Sequence, residues 1–175
     1  MSMSEEVVLL PVDEALIDDI RKNIGVTQEQ DLGVIEALTM KRYARSVGET
    51  NRLYYDSEYA RSYGYRDIIA PWNLLVSVLG WAEGSANEDL RVDGTEVGAT
   101  LPGLPASGYR LMGGGEAMEF LAPVYPGSHL TMTTTLVEVE PRETRSGLMA
   151  ITKLKREYFA DGDPVLVSMQ TILVR

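Results

Sequence analysis

The chain has no cysteine, a single histidine, and only two tryptophans and two phenylalanines. The missing cysteines exclude disulfides, thiol nucleophiles and thiolate metal sites, and they suit a cytoplasmic protein. With one histidine, His129, standing at a turn-to-strand junction, no dedicated metal site is expected, and His129 itself reads as a surface or edge residue. No Gly-x-Ser-x-Gly elbow occurs, which argues against a serine hydrolase of that type. The triplet Gly113-Gly114-Gly115 lacks the spacing of a phosphate loop and reads as a strand bend or bulge. No apolar run is long enough for a membrane span, and no basic-then-apolar leader opens the chain, so no membrane association is expected. Basic residues are also scarce: 16 Lys and Arg stand against 26 Asp and Glu, a formal net charge of −10. That excludes non-specific nucleic-acid binding and sits awkwardly with an anionic ligand. Two small basic groups, Lys153, Lys155 and Arg156, and Arg142 and Arg145, are expected on solvated strand faces.

What remains is an ordinary globular composition, 45% hydrophobic over 175 residues, which favours one domain over 1–175. Residues 1–6 read as disordered, and Val7 to Leu10 as a short strand or extended arm. Asp13 caps a helix with Leu16, Ile20 and Ile24 on one face, closed by Gly25. Thr27 to Asp31 reads as polar loop and Val34 to Leu38 as a short first strand. Residues 83–106 read as an irregular excursion. Three half-buried antiparallel strands follow from the alternation around Leu130–Leu136, Leu148–Leu154 and Val165–Leu173. Their turns are Pro141 to Gly147 and Ala160 to Asp163, with Asp161-Gly162 as the hairpin signal.

The stretch from Met40 to Leu75 is the most informative. Met40, Tyr43, Ala44 and Val47 share one face of a short helix, with Thr39 as its N-cap and Gly48 as its left-handed stop. A polar loop, Glu49 to Tyr55, leads to a second short helix capped by Asp56 and closed by Gly64. After Ile68-Ile69-Ala70, Pro71 opens a third helix to Ala82. That helix is apolar on nearly every face and therefore buried, with Trp72, Leu75 and Leu79 inside. Tyr54, Tyr55, Tyr59, Tyr63 and Tyr65 read as packing between the two short helices, or else as an aromatic wall for an acyl chain.

Tyr43-Ala44, Gly48-Glu49-Thr50-Asn51-Arg52-Leu53-Tyr54, Asp56-Ser57-Glu58-Tyr59-Ala60 and Ile68-Ile69-Ala70-Pro71 together resemble the signature of the MaoC-like, (R)-specific enoyl-thioester hydratases and dehydratases. The resemblance implies an α+β hot-dog fold, a curved antiparallel sheet wrapped around a central buried helix. It also implies no cofactor. At the family's catalytic aspartate this chain has Glu49, at its catalytic histidine Tyr54, and at its proline Arg52. With tyrosine in the histidine slot, the chain looks most like the non-catalytic N-terminal hot-dog half of two-repeat hydratases.

Hydration of an enoyl thioester needs a base for water, an acid for carbon 2 and a donor for the enolate oxygen. The resemblance puts the acid–base positions at Glu49 and Tyr54 and the oxyanion donors around Trp72 and Asn73. Asn51, Tyr55, Ala70, Trp72 and Asn73 are the substrate-binding candidates. Glu49 adds a methylene to the family carboxylate, and a misplacement of about 1 Å can cost on the order of a hundredfold in rate. Tyrosine ionises near pH 10 against about 6.5 for histidine, a poor proton shuttle at neutral pH. Three readings follow. The chain is a subunit that shapes an acyl tunnel while a second hot-dog chain supplies Asp and His. Or it is a self-sufficient homodimer using Glu49 and Tyr54. Or it is a non-enzymatic binding module for acyl thioesters or small hydrophobic ligands. In the enzymatic readings the substrate is carried on coenzyme A or on an acyl carrier protein.

Overall fold

The computed structural model describes residues 9–77, 86–90, 101, 103–105 and 108–175. Its frame is a five-stranded antiparallel sheet in the order β1-β3-β4-β5-β2, with strands Thr27–Val34, Leu111–Phe120, His129–Thr144, Gly147–Ala160 and Asp163–Val174 as β1 to β5. Among the described residues four α-helices accompany it: α1 Glu14–Arg21, α2 Ala37–Ser46, α3 Ser57–Ser62 and α4 Leu74–Ser77. This is the layout that the resemblance implies.

The core forms where strand alternation meets helix faces. Leu130, Met132, Tyr158, Ala160 and Leu166 of the sheet pack with Met40 of α2 and Leu74 and Leu75 of α4. At the other end of the sheet Leu136, Ala150, Leu154, Ile172 and Val174 pack with Leu16, Ile17 and Ile20 of α1. The same alternation corrects one expectation about charge. Lys153 and Lys155 lie on the solvated face, where they pair with Glu138 and Glu157. Arg156 points the other way, toward Tyr158, and neither its buried Nε nor the buried Tyr158 hydroxyl has a hydrogen-bond partner of good geometry among the described residues.

Local signals held well. The Asp13 carboxylate accepts from the Leu16 N–H at 2.8 Å, capping α1. Asp161 and Gly162 both take positive φ, 54° and 92°, as a tight primed hairpin turn requires. The β2–β5 register shifts between Gly113 and Gly115. A Cβ on Gly114 would come within 2.8 Å of the Thr171 methyl, so the bulge needs glycine there.

Other expectations need correction. Thr27 to Asp31 is not loop but most of β1. Its side chains are polar because it is an edge strand, and pairing with β3 from Thr27↔Thr135 onward overrides its weak pattern. Val34 to Leu38 is not a strand; α2 begins at Ala37, so Thr39 lies inside the helix and Glu36 stands at the N-cap. Ile24 is 46% exposed. The i→i−3 bonds from Asn23 and Ile24 tighten the chain after α1 and turn Ile24 off the buried face. Pro141 to Thr144 extends β3, leaving only Arg145 and Ser146 as the turn. Pro141 is tolerated because β1 covers only residues 129–135 of β3, so its missing N–H falls on an unpaired edge.

The third helix starts at Leu74 rather than Pro71, whose carbonyl accepts from the Leu74 N–H at 3.0 Å. Trp72, expected inside, is 46% exposed. It precedes the first helical turn and lies edge-on to Phe120 of β2, with ring centroids 4.9 Å apart. Leu75 is buried as expected. The calls on residues 1–6, on Val7 and Val8, on Leu79 and the helix beyond Ser77, and on most of the 83–106 excursion lie outside the described residues.

Candidate functional site

The loop between α2 and α3 is built by capping. Gly48 takes φ +76° as the left-handed residue ending α2, and the Glu49 N–H returns to the Ala44 carbonyl at 2.8 Å. The Asn51 side chain accepts from the Leu53 N–H at 3.0 Å and opens a single 3-10 turn, Arg52–Tyr54. Asp56 accepts from the Tyr59 N–H and starts α3. The Tyr59 N–H bond, and after it Arg52, which reaches forward to Asp56 at 2.6 Å, hold that carboxyl below its ordinary range. Asn51 is thus a turn-former, as its place in the loop suggests.

Within this loop Glu49 and Tyr54, the two positions that the resemblance matches to the acid–base pair, are close enough for the carboxylate to act on the phenol but are not hydrogen-bonded to each other. Tyr54 is 4% exposed and packs with Ala44 and Ile69, with Leu53, Tyr55, Tyr65 and Tyr125 around them. Burial raises its phenol above the ordinary tyrosine range, and the nearby Glu49 carboxylate and Tyr65 push it the same way. The Tyr55 hydroxyl donates to the Glu49 backbone carbonyl at 2.7 Å. The tyrosine-cluster expectation divides here. Tyr54, Tyr55 and Tyr65 are packing residues, whereas Tyr63 is 64% exposed and meets solvent beside Tyr59.

The remaining candidates gather around the entry to α4. The Ala70 N–H donates to the Val124 carbonyl at 2.8 Å, which fixes the chain before Pro71. Ala70, Pro71, Trp72 and Leu75, with Phe120, Ala122 and Val124, line an apolar recess of about 10 Å³. Asn73 is exposed, and its carbonyl accepts from both the N–H and the hydroxyl of Ser77. The N–H groups of Trp72 and Asn73 precede the helix and donate to no carbonyl among the described residues, the state a donor pair at a helix start would need. Glu49, Asn51, Tyr54 and Tyr55 therefore share the loop, and Ala70 and Trp72 share the recess. Asn73 does not line the recess, and Ile69 touches both groups.

Two features escaped the sequence reading. Phe120 completes the recess from the far edge strand, a contact that no local pattern announces. Arginines also lie over tyrosine rings in and around the loop: Arg45 over Tyr55 at 4.4 Å, Arg52 over Tyr59 at 4.3 Å and Arg66 over Tyr125 at 4.3 Å. The signal for these was present as an arginine excess within the motif, masked by the acidity of the whole chain.

Residues 22–168 match the family model described as the FAS1-like dehydratase domain region. A UPF0336 protein of Streptomyces griseus is 30% identical over 101 residues, 58% of this chain and 59% of that protein. A UPF0336 protein of Clavibacter michiganensis is 25% identical over 138 residues, 78% of this chain and 81% of its own. The chain thus spans about three-fifths of the length of the first of these curated relatives. Among solved structures, the ChsH1–ChsH2 complex of Mycobacterium tuberculosis superposes with a TM-score of 0.67 at 12% identity, over 91% of this chain and 90% of the other. The HadBC (3R-hydroxyacyl-ACP dehydratase) complex of the same organism gives 0.60 at 17% identity over 94% and 99%. The (R)-hydratase PhaJ1 of Pseudomonas aeruginosa gives 0.60 at 19% over 85% and 79%. At these identities the superpositions establish a hot-dog fold. No helix among the described residues is long and apolar enough to cross a membrane.

Proposed function

The chain belongs to the family of FAS1-like dehydratase domains, and on that premise we propose that it is the non-catalytic subunit of a heteromeric enoyl-thioester hydratase or 3-hydroxyacyl-thioester dehydratase. It shapes the acyl-binding tunnel, and a second hot-dog chain supplies the aspartate and histidine.

One observation carries this reading: the tyrosine at the acid–base position is buried and harder to ionise than a free tyrosine. A proton shuttle works best with a pKa near the working pH. A phenol starts near 10 and here moves further away, so Tyr54 neither takes nor releases a proton at neutral pH. It donates a hydrogen bond or fills space. Glu49 keeps a carboxylate but has no neighbouring imidazole with which to share a water proton.

The partner's place is supported by the sheet edges. Among the described residues β2 pairs only with β5, and no described strand covers its outer edge. Next to it Trp72, Phe120 and Leu121 are 46%, 37% and 46% exposed, an apolar margin that a second sheet would cover. The other edge strand, β1, presents mostly Thr, Gln, Glu and Asp and suits water. That two structural neighbours are complexes of differently named chains supports a heteromeric assembly.

The test is co-expression with a small hot-dog chain that keeps the aspartate–histidine pair, encoded beside this one. A stable complex that hydrates a crotonyl thioester, with neither chain active alone, supports the reading. Two chains that never associate would refute it.

A further inference from the structure

Charge is distributed unevenly along this chain. Residues 41–66 hold six cations, Lys41, Arg42, Arg45, Arg52, Arg61 and Arg66, against three anions, Glu49, Asp56 and Glu58, a local charge of +3. The chain as a whole carries −10, so everything outside this stretch sums to −13. The basic stretch is also the one that forms the Gly48–Tyr55 loop and its two flanking helices. Its five arginines are all exposed.

These cations differ in use from those elsewhere. Arg21, Lys22, Lys153 and Lys155 are each held by a carboxylate of the same face, Asp18, Asp19, Glu138 and Glu157. In the basic stretch only Arg52 has such a partner among the described residues. Arg45, Arg52 and Arg66 each hold the guanidinium carbon 4.3–4.4 Å from a tyrosine ring centre, Arg52 in addition to its ion pair. Contact with an aromatic ring restricts the motion of a guanidinium, so less side-chain freedom is lost when an anion arrives. An ordinary solvated face would be expected to carry mixed signs and mobile cations.

We propose that the arginine-rich face around the Gly48–Tyr55 loop is the docking surface for an acidic carrier protein, one that brings its acyl group on a thioester arm. This rests on the reading of the chain as a subunit of a thioester-processing enzyme. The breadth of the face, spread over α2, the 3-10 turn, α3 and Arg66, fits a protein surface better than a single phosphate. The acidity of the rest of the chain repels such a partner everywhere else and so directs it here.

The experiment is a binding titration of the full chain with purified crotonyl-acyl carrier protein, at about 20 and about 200 mM NaCl, a range over which exposed charge pairs become screened. The expected result is salt-sensitive binding that weakens about tenfold or more in Arg42→Glu/Arg45→Glu/Arg61→Glu, as rim charges do. Arg142→Glu/Arg145→Glu at the far hairpin should bind as the parent does. The corresponding three glutamine substitutions give the same test should charge reversal disturb folding. Absence of carrier binding, unchanged binding in both triple variants, or preferential capture of nucleic acid overturns the proposal. So does free crotonyl-coenzyme A binding as tightly as the carrier protein. If the reconstituted complex hydrates crotonyl-coenzyme A but binds no carrier protein, this inference alone fails. If the chain binds the carrier but supports turnover with no partner, the inference stands and the proposed function fails.

Discussion

The hydroxyl of Tyr55 donates to the backbone carbonyl of Glu49 across 2.7 Å, and the Arg45 guanidinium lies over the same tyrosine ring. One side chain therefore closes the loop that carries Glu49 and Tyr54 and ties it to α2. Tyr55→Phe keeps the ring and removes only the hydrogen bond. It should lower stability by about 0.5–1.5 kcal/mol, the usual net worth of such a bond, as a shift in denaturant midpoint with unchanged slope.

Leu75 is buried where α4 meets the sheet. Leu75→Ala should cost about 2–5 kcal/mol, the range for a leucine cavity. An unchanged thermal midpoint would mean that this helix contributes little to the core.

Tyr158 is buried in the sheet, and its hydroxyl, beside the Arg156 guanidinium, makes no hydrogen bond of good geometry among the described residues. Removing an unpaired polar atom relieves a desolvation cost, so Tyr158→Phe should be neutral or stabilising in a urea melt. Tyr158→Ala empties the same space and should cost about 3–5 kcal/mol, as for other large aromatic truncations.

The phenols of Tyr54 and Tyr158 are both raised, each chiefly by burial. A raised folded-state pKa leaves stability intact below the unfolded value near 10; stability falls as pH rises through the folded value. The protein should therefore lose stability progressively above about pH 10, the unfolded tyrosine value. Absorbance titration at alkaline pH should show two fewer late-ionising tyrosines in Tyr54→Phe/Tyr158→Phe.

Much of the fold was legible because its signals are local. Asp13 and Asp56 cap the helices that follow them, Gly48 turns the chain out of α2, and Asp161-Gly162 closes a hairpin. Such residues act within a few positions of themselves, where sequence and geometry coincide. β1 was illegible because its strand character comes from pairing with β3, between Thr27↔Thr135 and Val34↔His129, far away in the sequence. Trp72 misled because hydrophobicity states a preference for burial without saying against what, and here the ring meets Phe120 at an open edge. The loop's place was readable from the spacing of Gly48, Asn51 and Asp56. The arginine stacks were not, since Arg45 meets Tyr55 and Arg66 meets the distant Tyr125 only once the chain is folded, and net charge averaged over the chain concealed them.

Turnover of a crotonyl thioester by the isolated chain, beside the same assay on its reconstituted complex, is the most direct test of the central claim. The account predicts no hydration by the chain alone. In the complex it predicts turnover that is nearly unchanged by Glu49→Gln, because the working carboxylate belongs to the partner. Hydration by the unaccompanied chain, lowered by roughly two to four orders of magnitude in Glu49→Gln as loss of a general base would do, would contradict it.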